Sequence, residues 1–377
     1  MKITEIRAAG LRGGSPAGGW ANEIQPDDCV HTLVAVHTDE GLTGWGSVFT
    51  NDVLVQGSLL ALESLYLGEN PLEVERLTEK LNAHSFWLGR GGALTHTISG
   101  INIALWDLLG KATGQPAGRL LGGRYRERVR PYASLLMEEP EALGEKLVSL
   151  REKGFRAFKI GWGRFGRDSD ALDERIVKSA REAIGSECLL MVDAGASDAF
   201  WPQGYPWALR TSRMLQCYGV GWFEEPLPPD NLEEFILLRQ GAPVAIAGGE
   251  TLTRRQAFAP WTDRGALDIV QPDATKVGGM SEFRRIAWRA EDRGLRVIPH
   301  GWNTAVGLAA DLQLASAFRS TDLVEYLTGS PFIDELSGDL CRLDADGMLP
   351  IPEAPGLGVV LSPAALEKYA GTRFLLG

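Results

Sequence analysis

Residues 220–230 read "VGWFEEPLPPD". Val220, Trp222 and Phe223 have the apolar, β-preferring character of a buried strand. The stretch nevertheless closes on two adjacent carboxylates, Glu224 and Glu225, before Pro226 ends it. An ionised carboxylate taken out of water is costly unless a cation meets it. In isolation, such a pair reads as the solvated exit of a strand. The same kind of ending recurs along the chain, and the recurrence decides the fold.

From residue 126 onward, short apolar stretches alternate with amphipathic ones. The strand candidates are "VRPYASLL" (129–136), "AFKIGWG" (157–163), "CLLMVDAG" (188–195), "VGWFEEP" (220–226), "PVAIAGGE" (243–250), "LDIVQPDA" (267–274), "RVIPHGW" (296–302) and "LVEYLTG" (323–329). Their near-continuous hydrophobicity suits parallel strands covered on both faces. Strand–helix alternation repeated in this way predicts a (β/α) barrel. Seven of the strands end on an ionisable residue: Lys159, Asp193, Glu224, Glu250, Asp273, His300 and Glu325. From Asp193 onward these ends fall 23 to 31 residues apart, about one strand plus one helix. A closed barrel gathers its strand ends at one mouth, where barrel enzymes keep their active sites.

Residues 1–125 have a different texture and read as mixed strand and helix. Two strands flank the turn signal Asp39-Glu40-Gly41, and "GINIALWDLLGKATG" (100–114) has helical spacing and closes on Gly114. The Gly/Pro-rich segment "GGSPAGGWANEIQPDD" (13–28) reads as a loop over a site. The barrel is assigned to residues 126–334. Residues 335–377 carry turn signals and are expected to return to the first domain.

A net charge of -11 disfavours nucleic acid and anionic membranes as partners. It leaves an anionic small molecule open, because a bound cation can dominate a local field. Cys29, Cys188, Cys217 and Cys341 are scattered without a CxxC and read as reduced thiols. The opening "MKITEIRAAG" lacks a secretory pattern, and no apolar run reaches the length of a membrane span. The expected location is cytoplasmic.

Asp193, Glu224 and Glu250, on successive strands, cannot all stay ionised at close range without a cation. All-oxygen ligation suits Mg²⁺. Glu225, next along its strand, is expected to point the other way and support the site from behind. Asp273 beside His300 would fix the imidazole tautomer and raise its basicity. Lys159, inside an apolar strand, must either pair with an acid or carry a depressed pKa. Glu325 is expected to pair with Lys159 or to hydrogen-bond a substrate.

Two other readings use the same residues. Gly161, Gly163 and Gly166 trace the outline of a dinucleotide fingerprint, with Asp193 ending the next strand. Arg167, Asp168, Ser169 and Asp170 then read as loop and helix cap, where the fingerprint requires an opened helix. A dehydrogenase also leaves Glu224, Glu250, Asp273 and His300 without a role. A non-catalytic binding protein on the same scaffold would be expected to lack a metal acid or the histidine.

The stretches "SGINIALWDLLGKATGQPAGRLLGG", "MVDAG", "WFEEPL", "AGGETL", "QPDATKVGG" and "PHGWNTA" resemble the mandelate racemase and muconate lactonizing enzyme group of the enolase superfamily, in order and across nearly the whole chain. The resemblance implies a modified TIM barrel, (β/α)₇β, under an α+β cap built from the N-terminal region and the C-terminal tail. It implies Mg²⁺ on Asp193, Glu224 and Glu250, an acid/base pair of Asp273 and His300, and Glu325 on the substrate carboxylate. Lys276 occupies the position of the lysine base in the muconate branch. Many relatives carry Lys-x-Lys after the second barrel strand, where this chain reads Lys159-Ile160-Gly161.

Inversion of a centre needs an acid/base on each face of the substrate, so that glycine disfavours a racemase. A dehydration can use one group for both proton transfers. The expected reaction is therefore Mg²⁺-dependent removal of the proton α to a carboxylate, through an ene-diolate, with loss of water from an acid sugar to give a 2-keto-3-deoxy acid. Cycloisomerisation and epimerisation are the alternatives. Trp20, Asn22, His31, Trp87 and Arg90 of the cap, with Lys276 and Trp302, are candidates for substrate contacts. The partner is a small carboxylate, and relatives suggest a homo-oligomer, a dimer or an octamer.

Overall fold

The computed structural model describes residues 1–15, 24–195, 203–337, 340 and 342–371. The cap opens with an antiparallel sheet of β1 (Ile3–Leu11), β2 (His31–Thr38) and β3 (Thr43–Val48), in that order. α1 (Asp52–Tyr66), α2 (Val74–His84), α3 (Gly92–Thr113) and α4 (Ala117–Leu120) follow. In β2, Leu33, Val34, Ala35 and Val36 are all buried, so both faces of the strand are covered. One face meets α3, and the shared apolar core runs on into helices of the barrel.

The barrel alternates β4 (Arg128–Leu136), α5 (Pro140–Glu152), β5 (Ala157–Gly161), α6 (Asp170–Ile184), β6 (Leu189–Asp193), α7 (Tyr205–Cys217), β7 (Val220–Glu224) and α8 (Leu232–Gly241). It continues through β8 (Ala245–Gly248), α9 (Arg254–Asp263), β9 (Ile269–Val270), α10 (Gly279–Glu291), β10 (Arg296–Val297), α11 (Ala305–Ala317) and β11 (Leu323–Leu327). Eight parallel strands with seven intervening helices make the (β/α)₇β architecture. The ladder runs β10–β9–β8–β7–β6–β5–β4–β11. Its two ends are bridged by the Gly301 N–H, which donates to Glu325 Oε2 at 2.8 Å.

One side chain from each strand segment fills the barrel interior: Tyr132, Ala157, Met191, Trp222, Ala247, Ile269, Ile298 and Leu323. Side chains two residues apart share a face of a strand. That period places Lys159, Asp193, Glu224, His300 and Glu325 directly above the packed layer, at its C-terminal mouth.

Three strands are shorter than the sequence suggests. β8 stops at Gly248 because Gly249 turns away with φ +115, so Glu250 sits on a loop beyond the ladder. β9 and β10 stop at Val270 and Val297, shortly before Pro272 and Pro299, which have no N–H to donate. Asp273 and His300 lie past the ends of β9 and β10, although the His300 N–H still donates to the Pro272 carbonyl at 3.3 Å.

The C-terminal segment touches both the barrel and the cap. After α12 (Pro331–Asp334), β12 (Leu349–Pro350) pairs antiparallel with β4, and Leu349 and Ile351 enter the barrel core. Phe332 of α12 and Leu336 already belong to the cap's core, Phe332 against His31, and the chain returns to it after β12 with Leu357 and α13 (Pro363–Ala370). Among the described residues, no helix is long and apolar enough to cross a membrane.

Candidate active site

Asp193, Glu224 and Glu250 each place a carboxylate oxygen within 4.8 Å of the others at the barrel mouth. Around them lie Glu225, Asp273 and Glu325, against Lys159, Lys276 and His300. Six carboxylates thus face three groups able to carry positive charge. Burial, followed by the facing charge of Glu224, pushes the Asp193 carboxyl well above its usual range. A buried, all-oxygen donor set with this anionic excess fits a hard divalent cation such as Mg²⁺.

Lys159 Nζ is 2.5 Å from Glu224 Oε1, 3.1 Å from Glu325 Oε1 and 3.2 Å from Asp193 Oδ2. Burial opposes its charge, but Glu224, Glu325 and Asp193 outweigh burial and hold its pKa well above the ordinary value. The lysine is therefore a fixed cation, and the depressed-pKa reading does not hold. Glu224 Oε2 accepts from Trp222 Nε1 at 2.8 Å and from Gln271 Nε2 at 2.7 Å. Glu325 Oε2 accepts from the Tyr132 hydroxyl at 3.1 Å.

His300 bridges two acids, with Nδ1 2.8 Å from Asp273 Oδ2 and Nε2 2.9 Å from Glu250 Oε2. Burial disfavours its charged form; Glu250, then the Asp273 bond, overcome burial and raise its pKa well above the free value. Lys276 Nζ lies 3.3 Å from Glu250 Oε1 and 4.1 Å from the Phe49 ring centroid. Trp302 is buried beside Trp162, and both line the small cavity that Lys159, Asp193, Glu250 and His300 also line.

Glu225 is buried, and it does not simply face away from the mouth. The strand ends at Glu224, Glu225 takes φ +40, and its Oε1 accepts the Gly249 N–H at 3.2 Å. It thus holds the turn that delivers Glu250. Burial, then the charges of Glu250 and Glu224, push its pKa up to about 8.

From the cap, His31 sits on β2 and stacks on Phe49, ring centroids 4.8 Å apart. Phe49 in turn stacks over His300 at 6.5 Å. Burial drives the His31 pKa down to about 3, so the ring is neutral. Trp87 and Arg90 lie elsewhere. Both are exposed around the 3₁₀ turn Phe86–Leu88, and the Arg90 guanidinium lies over the Phe86 ring. Trp20 and Asn22 lie outside the described residues.

Sequence reasoning passed over Tyr132, Trp222, Gln271, Trp162 and Phe49. Gln271 and Tyr132 carried a signal, as polar groups inside apolar strand stretches at the inward period. Phe49 carried none, because it meets His300 only through the tertiary contact of cap on barrel. The dinucleotide outline fails structurally: α6 begins at Asp170, capped by the Ser169 hydroxyl, after three further residues beyond Gly166.

An acid-lined mouth, with a carboxylate-held histidine on one side and a buried lysine in its floor, defines a capped-barrel enzyme built for carboxylate chemistry. Residues 142–365 match the enolase C-terminal domain-like family, and residues 27–122 match the mandelate racemase / muconate lactonizing enzyme N-terminal domain. D-galactarolactone cycloisomerase of Agrobacterium fabrum is 34% identical, covering 98% of this chain and 99% of its own. D-xylonate dehydratase of Haloferax volcanii is 32% identical, covering 89% and 84%. The solved 3,6-anhydro-D-galactonate cycloisomerase of Zobellia galactanivorans superposes with a TM-score of 0.88 at 28% identity, covering 98% of this chain and 99% of its own. The chain belongs to the mandelate racemase / muconate lactonizing enzyme family of the enolase superfamily. It is an enzyme, a lyase or an isomerase.

Proposed function

We propose that the protein removes the proton α to the carboxylate of an acid sugar and expels the β-hydroxyl as water, giving a 2-keto-3-deoxy acid. Asp193, Glu224 and Glu250 would hold Mg²⁺, which supplies positive charge against the ene-diolate when bound. His300 Nε2, paired with Glu250 while no cation occupies the site, would be freed to take the α-proton once Glu250 serves the cation, while Asp273 fixes Nδ1. The imidazolium so formed returns its proton to the departing hydroxyl. Lys159, charged and anchored by three carboxylates, adds a fixed positive field. Glu325, braced by Tyr132 and the Gly301 N–H, orients the substrate.

The observation that carries this reading is Gly161. A Cβ there would stand 3.0 Å from Asp193 Cβ, so the position that would place a base on the opposite face has no side chain and little room for one. One acid/base on one face suits elimination and disfavours inversion. A second reading keeps the same proton abstraction but expels a ring oxygen, making the enzyme a cycloisomerase of a sugar lactone. The similarity to the Agrobacterium enzyme along both full lengths supports it.

The purified protein with Mg²⁺ should be offered aldonic acids, aldaric acids and their lactones. Dehydration gives a 2-keto acid lighter than its substrate by one water, read as semicarbazone absorbance. Cycloisomerisation gives a product of unchanged mass. Either product should vanish with chelator and in His300→Asn. Turnover that survives both treatments would overturn the proposal.

A further inference from the structure

α11 reads "AVGLAADLQLASA" and all of its residues are buried. Asp311 stands inside it, fully buried, and no cationic side chain among the described residues forms an ion pair with it. Its Oδ2 accepts from Asn303 Nδ2 at 3.1 Å. The remaining oxygen of each group, Oδ1 of Asp311 and Oδ1 of Asn303, has no partner among the described residues. Two acceptors cannot satisfy each other. A carboxylic acid and a carboxamide can, because the acid O–H donates to the amide oxygen while the amide N–H donates back.

We propose that Asp311 is a protonated acid paired with Asn303, and that this pair positions the His300–Trp302 segment. The surroundings favour the acid form. The titratable groups that act on Asp311 are Asp273, His300 and Glu325. Burial first, then Asp273, push its pKa well above the usual carboxyl range, against the opposing pull of the Asn303 bond and His300.

The pair lies directly behind the catalytic loop. A Cβ on Gly301 would meet Glu325 Cβ at 2.9 Å on one side and Asp311 Oδ2 at 3.4 Å on the other. His300 is tied to Asp273, Gly301 to Glu325, and Thr304 to Ser47 of the cap at 3.0 Å. Asn303 is the remaining polar anchor between them, and Asp311 is what it grips. With Asn303 turned inward to α11, the intervening Trp302 is left to line the cavity. An ionised Asp311 would act differently, as a further anion raising the pKa of His300.

This inference rests on the reading of His300 as the base, but its first test needs no turnover. The chain has five histidines, so the His300 imidazole can be followed by NMR titration. Asp311→Asn keeps the shape and remains neutral. It should leave the His300 titration and the pH–rate profile in place. A downward shift of the His300 pKa in Asp311→Asn would show that Asp311 is an anion and overturn the proposal. Asp311→Leu leaves the Asn303 amide unpaired and should lower kcat by about tenfold, with Asp311→Asn restoring it. Wild-type kcat in Asp311→Leu would overturn the positioning role. If Asp311→Leu does not fold, Asn303→Asp with Asp311→Asn restores an acid–amide pair in reverse and should keep wild-type kcat. A tenfold loss there would count against the pair. If no acid sugar is turned over at all, the NMR titration still decides the protonation state.

Discussion

The Nδ1 of His300 lies 2.8 Å from Oδ2 of Asp273, and both residues are buried at the barrel mouth. The other oxygen of Asp273 accepts from the Thr275 N–H at 2.7 Å and the Thr275 hydroxyl at 2.6 Å. Burial opposes ionisation of Asp273, but the His300 bond and the charge of Lys276 outweigh it and lower the pKa. Asp273 is therefore a fixed anion that sets the tautomer and basicity of the histidine. Asp273→Asn should fold normally, lower the His300 pKa, and reduce kcat by about 10²- to 10⁴-fold. The pH–rate profile of the variant checks this, and an unmoved profile at full rate would remove the pair from the mechanism.

Lys159, Lys276 and His300 offset only part of the repulsion among the three acids, which leaves the cluster short of positive charge. Asp193→Asn removes one charge from the cluster and should leave the metal-free protein at least as stable as the wild type. Mg²⁺ is expected to raise the melting temperature of the wild type, by about 2.7 kcal/mol of stability at a hundredfold excess over Kd, and the variant should lose that rise. Thermal melts with and without Mg²⁺ measure both effects. A wild-type Mg²⁺ response in the variant would show that the cation binds elsewhere.

One buried and one half-buried histidine give the fold an acid-sensitive component. Burial lowers His31 to about 3 and His96 to about 4, while the unfolded chain titrates near 6.5. Below that value the unfolded state binds protons that the folded state refuses, so stability falls as pH drops from 6.5 toward 4. Each histidine contributes a slope of up to ~1.4 kcal/mol per pH unit in that window. Urea midpoints between pH 7 and pH 4.5 should fall more steeply for the wild type than for His31→Asn with His96→Asn. Parallel curves would show that neither ring is held neutral.

The barrel and its mouth were legible because a strand period of two is strict. Once Trp222 and Met191 are read as core, Glu224 and Asp193 must share their face. The ends of β8, β9 and β10 were less legible. There the chain turns out of the ladder at Gly249, and loop geometry instead of strand period carries Glu250 inward, while Asp273 and His300 keep the inward period of Ile269 and Ile298 past the prolines. The roof of the site was not legible at all. His31 meets Phe49, and Phe49 meets His300, only after cap and barrel dock, and sequence spacing says nothing about that contact. Trp87 was equally illegible: a large aromatic in the cap suggested a substrate contact, and it stands 90% exposed on the 3₁₀ turn that follows α2.

The seam between cap and barrel explains why "SGINIALW" reads so distinctively, and it yields a last expectation. Asn102 on α3 donates through Nδ2 to Ser281 Oγ on α10 at 2.8 Å, and its Oδ1 accepts the Ser281 N–H at 3.1 Å. Ser99 Oγ accepts the Gly278 N–H at 2.8 Å, and Trp106 Nε1 donates to Ser281 Oγ at 3.0 Å. Asn102 and Ser281 are buried. The apolar core around them runs from Ile101 and Leu105 of the cap to Phe283 and Ile286 of α10 without a break. A cap that shares its core with the barrel cannot unfold first. Asn102→Leu strips partners from the buried Ser281 N–H and Thr78 hydroxyl, and should cost about 3 kcal/mol. The denaturation curve should shift as one transition, because the bonds lost belong to both domains. An early, separate transition of the cap in the wild type would contradict this coupling.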